Sequence, residues 1–290
     1  MIWIAVALAL IAAAALGIAR AGRARRDAPI VPPELATRLT TATQAFADAV
    51  PWQPAADATA PVAAAAIEAA MINRALPRAL ELAEAALAAT PAPAPAARIW
   101  LAWALCANGQ PRAALDQLAK ADGDGALAAY VTARATHLRF EHGHGAQGAT
   151  PPLVTTGDLA VVTLGRGRGG AAWLTGSIET QLSAAEVRAA LAEHREVTAR
   201  CLAGALDALD RAPGFADAAY LAARLAVKAG LVDQATALFA RLAPRMVGRP
   251  EADAFERDRR DLADPTAAVA AAKQRPPDRG QRSRRLRVLP

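Results

Sequence analysis

The residues best suited to chemistry are few and scattered. His142 and His144 follow Glu141 in an E-H-G-H run. Two imidazoles in a glycine stretch can meet on a metal ion. No CxxC or HExxH accompanies them, so the run reads as a polar loop that ends a helix. The run GRGRGG at 165–170 offers backbone N–H groups and the side chains of Arg166 and Arg168, the makings of a phosphate cradle. It lacks the GxxxxGK[ST] pattern, and no helix follows directly. Ser183 stands three residues before Glu186. That is the spacing of a capping box, and no G-x-S-x-G surrounds it. Cys106 and Cys201 are too few for a disulfide framework and sit inside apolar helical patterns, where buried packing thiols are expected. The chain therefore reads as a binding protein, not an enzyme, with no cofactor and no metal.

The elements that would position these groups are helical. The chain has 290 residues, of which 83 are Ala and only 4% are aromatic. Ala has the best intrinsic helix propensity, and a β-sandwich needs the branched and aromatic residues that are scarce here. Charged residues at 21% and a mean hydropathy of +0.16 exclude a wholly disordered chain and a many-pass membrane protein. The net charge of +6 is concentrated in two flanks. Arg20, Arg23, Arg25 and Arg26 contribute +4, and the stretch from Lys273 onward contributes +6, so the body between them sums to −4.

Residues 1–19 carry no charged side chain and would span about 28 Å at ~1.5 Å per residue. The four arginines follow at once. The positive-inside rule then predicts a single-pass anchor in the inner (cytoplasmic) membrane with the body in the cytoplasm, and the arginines could meet anionic lipid. The expected organisation is a transmembrane helix at 1–19, a basic linker at 20–33, a helical region at 34–145, a β-hairpin insertion at 146–182, a second helical region at 183–263 and a basic disordered tail at 264–290. The hairpin rests on two strand-like runs, 159–164 and 171–179, flanking the glycine-rich turn. The tail has no interleaved aromatics, so no specific nucleic-acid partner is expected. Within the helical regions, helices are expected at about 34–50, 126–141, 183–211, 216–229, 232–243 and 250–263. Two more fall in 60–90 with a break near 74–77, and a further two lie on either side of Asn108-Gly109.

One spacing recurs. Ala79, Ala83, Ala86 and Pro91 stand at intervals of four, three and five, and so do Cys201, Ala205, Ala208 and Pro213. Ala114, Leu118 and Ala121 repeat the first three positions, as do Ala235, Phe239 and Leu242. Gly109 and Gly230 each fall five residues before the first of these, and Gly143 lies 34 residues after Gly109. Small residues at such intervals let one helix lie close against two others.

This pattern resembles the tetratricopeptide repeat (TPR) family, whose unit is a 34-residue helix-turn-helix. The matching residues are Leu101, Ala102, Leu105, Gly109, Ala114, Leu118 and Ala121 in one unit, and Ala223, Gly230, Ala235 and Phe239 in the last. The resemblance covers roughly 60–140 and 185–245. It departs where the family has a large aromatic early in the first helix, since Arg98 and Ala219 stand there. It implies an α-solenoid whose concave face, built by the first helix of each pair, binds a protein or peptide. Trp103, Tyr220, Arg224 and Lys228 are the residues implied on that face. Arg166 and Arg168 would add partner or membrane contact from the hairpin. The function so expected is a membrane-anchored cytoplasmic scaffold. Two alternatives stand beside it: a nucleotide- or phosphate-binding protein using the glycine-rich hairpin, and an envelope-assembly regulator. The latter rests on a layout similar to the lipopolysaccharide assembly family, whose C-terminal paired-cysteine metal module is missing here.

Overall fold

The computed structural model describes residues 31–57, 61–91, 94–121, 123–143, 184–249 and 251–264. Ten α-helices are found among them: α1 (Pro33–Asp48), α2 (Pro61–Ile72), α3 (Leu76–Ala89), α4 (Pro95–Ala107), α5 (Pro111–Ala119), α6 (Ala126–Gly143), α7 (Ala184–Arg211), α8 (Ala216–Lys228), α9 (Val232–Met246) and α10 (Ala252–Ala263). Proline lies in the first turn of α1, α3, α4 and α5. Its missing N–H costs nothing there, because the first amides of a helix have no intrahelical partner.

The helices associate as four successive pairs: α2/α3, α4/α5, α6/α7 and α8/α9. Each pair also packs on the next through α3–α4, α5–α6 and α7–α8. The arrangement is that of a helical repeat and is compatible with an α-solenoid. Three of the turns inside pairs close with one hydrogen-bond pattern. Gly109 N–H donates to Cys106 and Gln110 N–H to Leu105; Gly230 N–H donates to Val227 and Leu231 N–H to Ala226; Arg74 N–H donates to Met71 and Ala75 N–H to Ala70. This double bond is the Schellman closure, which puts its central residue in the left-handed region. Gly109 (φ 76°) and Gly230 (φ 79°) adopt it freely, whereas Arg74 adopts it at φ 55°.

Most of the recurrent residues are buried, while Ala86 and Leu118 are only half-buried. Ala79, Ala83, Ala114, Ala205, Ala208 and Ala235 are fully buried, and Cys201, Phe239 and Leu242 nearly so. Helices α6 and α7 cross so closely that a Cβ added at Gly204 would lie 3.1 Å from the Cβ of Ala133. Asn108 ties two pairs together, its side-chain amide donating to Leu76 O and Ala104 O, both at 2.9 Å. Arg98, at the position of the missing aromatic, reaches Gln117 of α5 at 3.0 Å. Replacing either Ala114 or Ala235 by Leu forces a branched side chain into a filled contact, and a loss of about 1–3 kcal/mol in chemical denaturation is expected for each.

Helix α1 stands outside the pairs and packs on α7, α8 and α9. Arg38 pairs with Asp207 (2.7 Å) and Asp210 (2.5 Å) of α7. Arg245 of α9 donates to the carbonyls of Phe46 and Ala49 and lies 4.1 Å over the Phe46 ring. It thus supplies donors to carbonyls that the end of α1 leaves without intrahelical partners.

The expected fold class needs correction. Among the described residues there is no strand, and no helix is long and apolar enough to cross a membrane. The fold they form is a mainly α stack of helix pairs, without a transmembrane helix or a β-hairpin. The physical reason lies in the helices themselves. The most apolar, such as α4, are too short, since 13 residues reach only about 20 Å. The longest, α7, carries Glu186, Arg188, Glu193, Arg195, Glu196 and Arg200. The span at 1–19, the hairpin at 146–182 and the N-cap serine Ser183 lie outside the described residues. A single-pass inner-membrane localisation with a cytoplasmic body therefore has no support in the structure. Helix α6 packs on α7 and ends at Gly143, 34 residues after Gly109.

Candidate functional site

The first helices of all four pairs converge on one cleft with a cavity of about 70 Å³. The end of α2 and the turn after it contribute Met71, Ile72 and Arg74. Trp103 and Ala107 come from α4, Tyr130, Arg134 and His137 from α6, and Tyr220, Leu221 and Arg224 from α8. Arg249 and Glu251, between α9 and α10, close the remaining side. Helical periodicity accounts for much of this. Tyr130 and Arg134, like Tyr220 and Arg224, are four residues apart and so share one helix face.

The walls are aromatic and the polar groups are mostly donors. Arg134 donates to the Tyr130 hydroxyl at 2.5 Å and lies 5.8 Å from the centre of its ring. Burial pushes the Tyr130 phenol up from its ordinary pKa, against the opposing pull of Arg134, so the hydroxyl keeps its proton at neutral pH. Tyr220 donates to Asp258 of α10 at 2.7 Å, and Arg224 forms an ion pair with the same carboxylate oxygen, its Nε 3.0 Å away. Burial pushes the Tyr220 phenol up as well. Arg249 pairs with Asp217 at 3.0 Å. The indole N–H of Trp103 is buried and has no hydrogen-bond partner among the described residues.

No family model and no curated protein or solved structure matches this chain.

Of the residues the sequence singled out, Trp103, Tyr220 and Arg224 line the cleft together. Lys228 does not line it. Its ammonium is buried and pairs with Glu141 of α6 at 2.6 Å, with His137 Nε2 3.8 Å from the same carboxylate oxygen. One helical turn beyond Arg224, Lys228 thus joins α8 to α6 inside the stack instead of facing an open surface. Arg166 and Arg168, and the juxtamembrane Arg20, Arg23, Arg25 and Arg26, lie outside the described residues, as does His144. Sequence reasoning missed Arg74, Arg134, His137 and Arg249. A signal for Arg74 was present: Asn73-Arg74 stands 35 residues before Asn108-Gly109.

Both cysteines are buried packing thiols, as their apolar settings suggested. Burial pushes Cys106 up to about 11, against Arg134, and Cys201 up to about 12, against Arg200 and Lys228. Neither is a thiolate near neutrality, so neither is an activated nucleophile. A maleimide at pH 8 is expected to leave both unmodified in the native chain and to label both in denaturant. The sign for stability follows. Each thiol ionises more readily in the unfolded chain, so stability falls once the pH passes about 8.5 and keeps falling until it passes the folded values. Among the described residues no group of three or more His, Cys, Asp or Glu is placed to hold a metal ion.

Proposed function

We propose that this chain is a TPR-like helical-repeat scaffold, without catalytic activity of its own, that docks a segment of a protein partner in the cleft between the first helices of its pairs. One observation carries this reading. Trp103 of the second pair, and Tyr220 and Arg224 of the fourth pair more than 110 residues later, line a single cleft. Aromatic rings and arginine are the groups that dominate binding energy at protein interfaces, and here they stand in a recess that excludes part of the water. The phosphate-binding alternative rests on Arg166 and Arg168, outside the described residues.

The test is site-specific photocrosslinking in the full chain. A benzophenone side chain replaces Ile72, which lines the cleft, or Val62, which is exposed on the same helix and does not line it. The expected result is one crosslinked segment of one protein at Ile72, competed away by a synthetic peptide of that segment and missing at Val62. Equal labelling at both positions, or none at Ile72, overturns the reading.

A further inference from the structure

The turn at Arg74 bears on what the cleft takes. The same hydrogen-bonded closure occurs after α4 and after α8, and there the residue with positive φ is glycine. An L-residue with a side chain pays for that conformation because its Cβ crowds the backbone. Arg74 occupies it, in register with Gly109, and the two glycines show that nothing in the closure itself needs an arginine. Strain kept where a cheaper residue fits is a pointer to the side chain's own role. That side chain is exposed, lines the mouth of the cleft and makes no ion pair among the described residues.

The charge of the lining agrees. Arg74, Arg134, Arg224 and Arg249 face Asp217 and Glu251, with Asp258 behind Arg224. Four guanidiniums meet three carboxylates, and two of the pairings, Arg249–Asp217 and Arg224–Asp258, hold within the protein. One positive charge is in excess. The Trp103 side chain in the wall is only 3% exposed, and its indole N–H is buried. It is sealed from the cleft, so the Trp103 indole resonance reports on a ligand through the ring and not through a direct hydrogen bond. Guanidinium planes match the two oxygens of a carboxylate. Met71, Ile72 and Leu221 supply apolar wall, and the cavity of about 70 Å³ suits a small body.

We propose that the cleft is a carboxylate site: it takes one carboxylate on a short apolar stem, with Arg74 at the mouth pairing with the carboxylate and the Trp103 ring in the wall beside it. Such a group is carried by an acidic side chain of a docked segment or by a free short-chain acid. The proposal rests on the docking reading only for the location of the site.

The test uses the full-length chain labelled with 15N, with the Trp103 indole N–H resonance assigned by Trp103→Phe. Sodium propionate is titrated against propionamide, which has the same shape without the charge. In parallel, an acetylated peptide with one Glu between two Leu is titrated against its Gln counterpart. The expected result is a saturable shift of the Trp103 indole resonance with propionate, with the Glu peptide, or with both, and none with the amide partners. Propionate alone identifies a free acid as the source, and the Glu peptide alone identifies a protein side chain. Arg74→Gly should weaken that binding about tenfold or more, the loss of one charged hydrogen-bonded contact. It should also raise the melting midpoint by about 2–4 °C, because the left-handed strain is removed. Equal shifts with acid and amide, no shift with any probe, unchanged affinity in Arg74→Gly, or a lowered midpoint in that variant would each overturn the proposal. Carboxylate binding without any crosslinked partner at Ile72 would instead remove the docking reading and leave the carboxylate site standing.

Discussion

Gly214→Ala is expected to cost about 3 kcal/mol or more, and to leave little native protein at 37 °C. A Cβ built at this position would fall 1.9 Å from the carbonyl oxygen of Val50 and 2.9 Å from the amide nitrogen of Trp52. Both neighbours are backbone, so no side chain can swing aside. The glycine is there because two chains cross: Trp52 N–H donates to Gly214 O at 3.2 Å, and the Trp52 ring packs edge-on against Phe215 at 4.8 Å. Close backbone approach is the setting that only glycine permits. An added methyl must push the segment after α1 away from the α7–α8 turn, with the loss of that hydrogen bond and ring contact. The cost exceeds an ordinary overpacking substitution because the whole crossing must shift. Urea denaturation of the full chain measures it. A change below about 1 kcal/mol would show that the α1 segment docks loosely.

Lys228→Met should destabilise by about 3–5 kcal/mol, for an electrostatic reason. Lys228 and Glu141 are both buried, 2.6 Å apart, and belong to different helix pairs. Removing the ammonium leaves a carboxylate deep between α6 and α8 with its main counter-charge gone, and His137 at 3.8 Å is a weaker substitute. Lys228→Met combined with Glu141→Leu should recover most of the loss, since two apolar groups of similar size need no solvation. A double-mutant cycle reads the difference directly. If the single variant costs less than about 1 kcal/mol, the pair contributes little to joining the two helices. If the double variant is no better than the single, packing at this contact outweighs charge.

Local punctuation determined most of the helical architecture. Pro77, Pro95 and Pro111 in first turns and Gly109 and Gly230 in the closures set where helices begin and end, because φ preferences and missing amide hydrogens act on the residue that carries them. The interval pattern at Ala79–Ala83, Cys201–Ala205–Ala208 and Ala114–Ala121 placed the tight helix contacts, because a helix repeats every ~3.6 residues and only small side chains fit where axes approach. Even Gly143 marked the end of α6.

Tertiary structure decided what these rules do not reach. Nothing in the first fifty residues shows that α1 lies on α7, α8 and α9, with Arg38 on α7 and Arg245 capping it from almost 200 residues away. Three of the four residues expected on the binding face share a cleft, while Lys228, on the same helix as two of them, is turned inward by a carboxylate 87 residues away. Arg74 looked like an ordinary break between helices until its φ set it beside two glycines. Periodicity reports which face of a helix is apolar. Which charged group meets which depends on how faces from distant helices are brought together, and that leaves no periodic trace in the sequence.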